Sequence, residues 1–487
     1  VLLLPAAAGA APWELYDRPK GLTFGGRAFV TTAPDLKMEG PYEDRFTLRS
    51  GADFRVQYKF AKSAKFEVGA KFRYVLRHGD RTEHDAWFDL GETFLQFRVK
   101  KFTLRVGRYR LGWGRNALLS PLNRLTPVDY TTAFEPGGQS EARIPVAAVR
   151  MNLNLYPVSF ELIWIPLYTP ARLSFYGRDF SVLRPGHLEQ MLPSLVPTTG
   201  AGLVDDELRR ATPRIVEALT ALDPYARDGI QSYLVPSVPD EVIWNSDVGF
   251  RFGASAGPVD FDVVALYYLL DQPELHLAEE LREPLLDGRS PDSGELTRLT
   301  NPDAELITAV YPRSFMAGAD VAVAAGGFVV SGEVAVDSTS VQYTRRLEPY
   351  RSPKLRYAVA LRYNFGTVVA FTAEFGHDVT LRPRPDTFLT RQHELTAAFV
   401  GTLRLLRDRL QLTLSASYSV FPRDLYVHPQ VVVEVEDGLY ATFGVQIFEG
   451  FRPDAEPTLD SFLSYEGGIV GWFRGNDYAY GTIEYRF

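Results

Sequence analysis

The sequence predicts an all-β chain closed into a transmembrane antiparallel β-barrel of eighteen strands, with sixteen as the alternative count, carrying long and partly helical loops. Three observations predict it. Residues alternate strictly between apolar and polar over many segments of about ten residues or more, the length a tilted strand needs to cross a bilayer. Aromatic side chains gather near the ends of these segments, as interfacial girdles require. Tight turns alternate with longer connections along the chain, a rhythm that a soluble multi-domain protein has no reason to show.

The chain begins VLLLPAAAGA, an apolar run that ends in small residues with Ala8 and Ala10 in an A-x-A arrangement. This reads as the remainder of a secretory signal, residues 1–10, cut after Ala10 to leave residues 11–487 as one barrel domain. From Arg45 the dominant period is two. Phe46, Leu48, Ala52, Phe54, Val56, Tyr58 and Phe60 share one face, opposed by Thr47, Arg49, Asp53, Arg55, Gln57 and Lys59. The same pattern continues through Phe66–Leu76 and recurs at Leu410–Tyr418. Strands are expected at 21–33, 44–60, 65–77, 85–99, 101–110, 146–155, 158–167, 242–255 and 258–270, then at 305–324, 327–345, 354–364, 366–382, 389–404, 408–420, 427–436, 438–449 and 475–487. Tight turns fall at 61–64, 100–101, 156–157, 255–257, 324–327, 364–366, 406–408 and 436–438, several of them rich in Gly, Asn and Asp. These are the expected periplasmic connections.

Composition agrees by exclusion. The chain has 487 residues, of which 46% are hydrophobic, 23% charged and 13% aromatic, and it contains no cysteine. Disulfide frameworks and thiolate metal sites are ruled out. A net charge of 52 − 60 = −8 argues against nucleic acid as a partner.

If the apolar phase faces lipid, the other phase lines the lumen, and its charges segregate by sign. Strands two to six project Arg49, Arg55, Lys59, Lys71, Arg73, Arg98, Arg105 and Arg150, diluted by Asp53, Glu67 and Asp89. Later strands project mostly acids, Glu161, Asp247, Asp260, Asp262, Asp320, Glu333, Asp337, Glu374, Glu394, Glu434 and Glu484, with fewer bases among them, Arg251, Arg356, Arg362, Arg404 and Arg486. A basic wall facing an acidic arc would set up a transverse field that orients polar solutes. The pore-lining residues expected are Arg49, Arg55, Lys71, Arg73, Arg105 and Arg150 on the basic side, and Asp247, Asp260, Asp262, Asp320, Glu333 and Glu374 on the acidic side.

The run RVGRYRLGWGRNALLSPLNRLTPVDY at 105–130 begins in a strand and ends in a Gly- and Pro-rich irregular segment. Arg108 and Arg110 fall in the lipid-facing phase unless Gly107 shifts the register as a bulge. With Trp113, Arg115, Arg124 and Asp129 they form the expected constriction loop. The insert 168–241 carries a helical pattern at 204–223 and reads as a lid or plug, and another helix is expected at 273–286.

The motif Gly107-Arg108-x-x-x-x-Trp113-Gly114, followed by Pro121-x-Asn123 and Thr126-Pro127-x-Asp129, resembles that of an uncharacterised proteobacterial outer-membrane barrel family. FELIWIP at 160–166 matches the same pattern, and Tyr109 stands where it has Gln. The resemblance implies an outer-membrane conduit that accompanies envelope transport systems for hydrophobic compounds. An eighteen-stranded barrel with an arginine-rich interior also resembles the alginate-export porins, which implies an anionic polysaccharide instead.

Chemistry-bearing motifs are sparse. Seven histidines are scattered without HExxH or ligand spacing, and Asp287, Asp292 and Glu295 lack a calcium-loop pattern. No cofactor, metal or catalytic residue is expected, and His377-Asp378 and His393 read as solvated rim residues rather than a hydrolase site. The expected function is a channel in the bacterial outer membrane. The alternatives are a docking barrel in a polysaccharide-export or surface-motility complex and, third, a barrel-borne hydrolase. Expected partners are outer-membrane lipid or lipopolysaccharide, the barrel-assembly machinery through the aromatic Phe487, and an envelope transport or motility complex.

Overall fold

The computed structural model describes residues 21–36, 45–79, 82–132, 134, 142–172, 180, 245–287, 292–301, 305, 307–388, 390–451 and 468–487. The signal-like residues 1–10 and nearly all of the insert 168–241, including its helical stretch 204–223, lie outside them.

Eighteen wall strands follow in order: β1 (Leu22–Pro34), β2 (Phe46–Ala61), β3 (Ala64–His78), β4 (Thr82–Val99), β5 (Phe102–Tyr109), β6 (Val146–Leu155), β7 (Val158–Ile165), β8 (Asp247–Ala256) and β9 (Val259–Leu269). The second half comprises β10 (Arg313–Ala325), β11 (Phe328–Thr344), β12 (Pro349–Phe365), β13 (Val369–Thr380), β14 (His393–Leu405), β15 (Leu410–Phe421), β16 (Asp424–Glu436), β17 (Leu439–Gly450) and β18 (Tyr478–Arg486). Each pairs antiparallel with its neighbours in sequence. β18 returns to β1, with Arg27 opposite Arg486 and Thr31 opposite Thr482, so the wall closes and leaves no edge.

Alternation decides the two faces. Phe54, Phe72, Phe88, Val106, Phe250, Val359 and Phe443 are exposed on the outer surface, a continuous apolar belt of the kind a bilayer covers. No helix among the described residues is long and apolar enough to cross a membrane; the strands do so instead.

At one end the connections are all two to four residues long. Gly257 (φ +60°) and Gly438 (φ +80°) supply backbone conformations there that other residues adopt only at a cost. At the other end they are mostly long, with short exceptions at 79–81, 345–348 and 422–423. Between β9 and β10 a small ribbon pairs Glu274–Leu277 with Ile307–Val310, followed in space by helices α1 (Glu279–Asp287) and α2 (Ser293–Thr300). Two expectations change here. The helix expected at 273–286 begins only at Glu279, because 274–277 extend to pair with 307–310. The strand expected at 305–324 is interrupted at Pro312, which has no N–H to continue a ladder, and the wall strand starts at Arg313. The acids without a calcium pattern have a structural use: Asp292 caps α2 through the N–H groups of Gly294 and Glu295 (both 2.8 Å), and Glu295 reciprocates.

Closure depends on a tight approach at the seam. Gly26 exchanges backbone hydrogen bonds with Phe487 (2.9 and 3.1 Å), and a Cβ on Gly26 would meet the Phe487 ring at 2.7 Å. Gly26→Leu is expected to loosen the β1–β18 seam, read as loss of the compact, heat-modifiable band in an unboiled gel while the denatured band is unchanged.

Candidate functional site

After Tyr109 the chain leaves the wall and turns into the lumen. Leu111, Trp113, Leu122 and Leu125 are buried in one cluster with inward-facing side chains of the wall, among them Phe94, Ile163, Leu266 and Met316. Trp113 is 2% exposed and Leu122 is 0% exposed. Wall glycines make the room: a Cβ on Gly249 would meet the Trp113 ring at 2.5 Å, and one on Gly318 would collide with Leu122.

Charge fixes the same segment in place. Glu161 accepts the indole N–H of Trp113 (2.7 Å) together with the guanidinium groups of Arg150 (2.7 Å) and Arg251 (3.2 Å). Arg115 is held by three aspartates: Asp262 (2.7 Å), Asp260 (3.4 Å) and Asp320. Glu333 accepts the backbone N–H groups of Arg115 and Asn116 and the hydroxyl of Ser120 (2.6 Å). Glu374 accepts three successive backbone N–H groups, from Ala117 (2.7 Å), Leu118 (3.1 Å) and Leu119 (2.7 Å). Consecutive N–H donors form a concave nest that suits an anion. Burial works against the charge on Arg115, but its hydrogen bond to Asp320 and the charges of Asp320, Asp262 and Asp260 outweigh that and raise its pKa.

The acidic side expected from sequence is thus brought together: Asp260, Asp262, Asp320, Glu333 and Glu374 meet the inward segment directly. Asp247 instead accepts the backbone N–H of Leu269 (2.9 Å). Of the constriction residues, Trp113 and Arg115 lie at its centre. Arg124 is half-buried; desolvation lowers its pKa, and the nearby carboxylates of Asp337 and Asp271 more than reverse that. Asp129 pairs with Arg172 (3.2 Å) and Thr131. Arg110 follows the chain inward, its backbone N–H on Glu92 (3.0 Å). Arg108 stays within β5, opposite Thr93 and Ala147, and its guanidinium reaches Asp89 (3.2 Å). Gly107 makes no bulge, since the register runs evenly through it; the extra residue lies in β4, where Val68 faces Thr93 but Ala70 faces Leu90.

On the basic side, Arg27, Arg49 and Arg73 surround the ring of Phe29 at 5.2, 6.0 and 5.1 Å. Asp53 bridges Arg27 (2.7 Å) and Arg73 (2.6 Å). Arg49 and Arg73 are packed, 3% and 2% exposed. Arg105 donates to Gln96 (2.6 and 3.0 Å) over the ring of Phe94. Arg55 and Arg486 have side chains 67% and 57% exposed. With Lys71, Arg27 and Arg110 they border a cavity of about 420 Å³ between β1–β4 and the start of the inward segment. Sequence reading passed over Arg27 and Phe29, because Gly25-Gly26 hides the alternation of β1, and it gave Glu161 no special role.

His377 is bonded to Tyr357 (2.6 Å) and His393 (3.1 Å), whereas its neighbour Asp378 faces the other way and pairs with Lys354 (3.2 Å). A His–Asp relay is therefore not assembled there. Among the described residues, no group of three or more His, Asp or Glu is placed to hold a metal.

A closed wall, apolar outside and charged within, with an inward-folded segment in its lumen, defines a porin-type outer-membrane β-barrel. The chain belongs to the family described as Protein of unknown function (DUF1302), which matches residues 24–387. Similar solved structures include Pseudomonas aeruginosa OccK7 (OpdD), at 9% identity over 96% of this chain and 98% of that one with a TM-score of 0.45. Others are Acinetobacter baumannii OccAB3 (7%, 96% and 98%, 0.44) and Salmonella typhi OmpF in complex with daunomycin (9%, 96% and 97%, 0.38). No curated protein matches the chain.

The nest on Glu374 yields a direct test. Removing a buried acceptor leaves its donors unsatisfied, at a cost of about 1–3 kcal/mol for each group. Glu374→Ala is expected to release 115–120 from the wall, seen as faster limited proteolysis within that stretch and a higher single-channel conductance than the parent.

Proposed function

We propose that the protein is an outer-membrane channel whose passage runs along the basic wall and favours anionic solutes. The observation that supports this reading is the asymmetric use of lumenal charge. The acidic arc is taken up by the inward segment, with Arg115 and a series of backbone N–H groups answering its carboxylates. The basic strands β1–β3 keep Arg55 and Lys71 on the remaining space, joined by Arg110 and Arg486. A narrow lumen with low-dielectric walls and an excess of one sign concentrates the opposite ion.

In this reading the barrel does no bond-making chemistry of its own, and the wall charges select what passes. Both cargo classes implied by resemblance, an anionic polysaccharide and an apolar compound of the envelope, would meet the basic wall; an anionic group on the solute is the common requirement. The insert 168–241 would regulate access from the long-loop side. Lipopolysaccharide around the belt, assembly through Phe487 and an envelope transport or motility partner complete the proposal.

Planar-bilayer recording tests it. Under a tenfold KCl gradient the purified protein is expected to show a reversal potential of the sign given by chloride preference, and Arg55→Glu with Lys71→Glu should move it towards potassium. A cation-selective parent, or a barrel that stays closed both as isolated and as Glu374→Ala, overturns the reading.

A further inference from the structure

We infer that the cavity bounded by β1–β4 and Arg110 is a binding site for a small organic oxyanion, bearing carboxylate or phosphate, rather than a mere widening of the passage. The inference deepens the channel reading by naming the class of solute the site retains.

Charge carries the first part. Five bases border the cavity: Arg27, Arg55, Lys71, Arg110 and Arg486. Asp53 and Glu92 are the acids on the lining, Asp53 bridging Arg27 and Arg73 and Glu92 accepting the backbone N–H of Arg110; two more acids lie behind it, Glu67 shared by Arg55 and Lys65 (both 3.5 Å) and Glu484 shared by Arg27 (3.2 Å) and Arg486. With Lys65 and Arg73, which share these carboxylates, seven bases stand against four acids, a formal excess of 7 − 4 = +3 around a cavity of about 420 Å³, inside the size range of small-molecule sites. Four of the five lining bases are arginines, whose planar forks match the two oxygens of a carboxylate or phosphate; chloride makes no such bidentate contact.

Shape carries the second part. The hollow exists because inward positions lack side chains. At Gly69 and Gly91 the backbone explains the glycine: a Cβ on Gly69 would meet Glu92 at 3.0 Å, and one on Gly91 would meet Gly69 at 3.1 Å. Gly25 is different. It shares the inward phase of Arg27, its φ lies outside the left-handed region, and a Cβ there would touch only the Phe487 carbonyl oxygen at 3.5 Å, an ordinary contact. Backbone geometry does not demand glycine at this position. Its effect is to keep the cavity empty beside Arg55, its partner across the β1–β2 ladder.

The test uses the full chain in detergent, with citrate and glucose 6-phosphate as probes and chloride as the background anion. Isothermal titration should show saturable binding of at least one probe, weakening tenfold or more between 0.05 and 0.5 M KCl on the order expected for several ionic contacts. Whichever probe binds more tightly identifies the anionic group. Gly25→Leu, which fills the hollow without changing charge, and Arg55→Gln should each weaken binding at least tenfold. Arg404→Gln, the same loss of one lumenal charge outside the cavity, should leave affinity within twofold.

Absence of binding by both probes overturns the inference, as does equal weakening by Arg55→Gln and Arg404→Gln, which would mean a diffuse field rather than a site. If Gly25→Leu does not give the compact folded band, Arg55→Gln against Arg404→Gln decides alone. Because titration needs no current, binding without conductance would retain the site and remove the channel reading, while anion-selective conductance without binding would do the reverse.

Discussion

A carboxylate facing a narrow lumen must be met by a cation or by hydrogen-bond donors, and most of this interior follows from that constraint. Wall strands β7 to β13 project Glu161, Asp260, Asp262, Asp320, Glu333 and Glu374 towards one region. Leaving several like charges together in a low-dielectric space would be strongly unfavourable. The inward segment answers them with one guanidinium, one indole N–H and a run of backbone N–H groups. The apolar contacts of Trp113 and Leu122 with the wall add burial to that electrostatic fit. The wall glycines at 249 and 318 are the complement of those two side chains.

The opposite side obeys a different rule. Arginines there share their acids: part of the charge is packed against an aromatic face and bridged by Asp53, as around Phe29, and part is exposed, as at Arg55, 3.5 Å from Glu67. The two halves of the lumen therefore differ in how their charge is answered.

Much of this was legible in the sequence because period-two alternation encodes both faces of a barrel wall. All eighteen strands were expected, with edges shifted by up to five residues apart from the start displaced from 305 to Arg313. Most of the tight turns were legible from Gly, Asn and Asp; the break at Pro312 needed the partner strand to be seen. The sign segregation also reads directly, since each strand's inward phase lists its own charges. What does not read is pairing across the lumen. Nothing local in the neighbourhood of Glu374 says that its acceptors serve the N–H groups of 117–119, more than 250 residues away. Arg108 shows the same limit: the local pattern leaves a bulge at Gly107 open, and the extra residue is accommodated in β4 beside Gly91.

The inward segment starts at the end of β5 and grips strands as far round as β13. It thus spans the cylinder like a chord across a hoop. A thin closed sheet of this girth bends easily into an oval, and lateral pressure from the surrounding bilayer would deform it. A tie between distant arcs resists that flattening, so the cross-section is held by a strut as well as by the hoop of hydrogen bonds. The aperture beside the tie would then respond to mechanical stress on the wall as well as to the chemistry of what enters it.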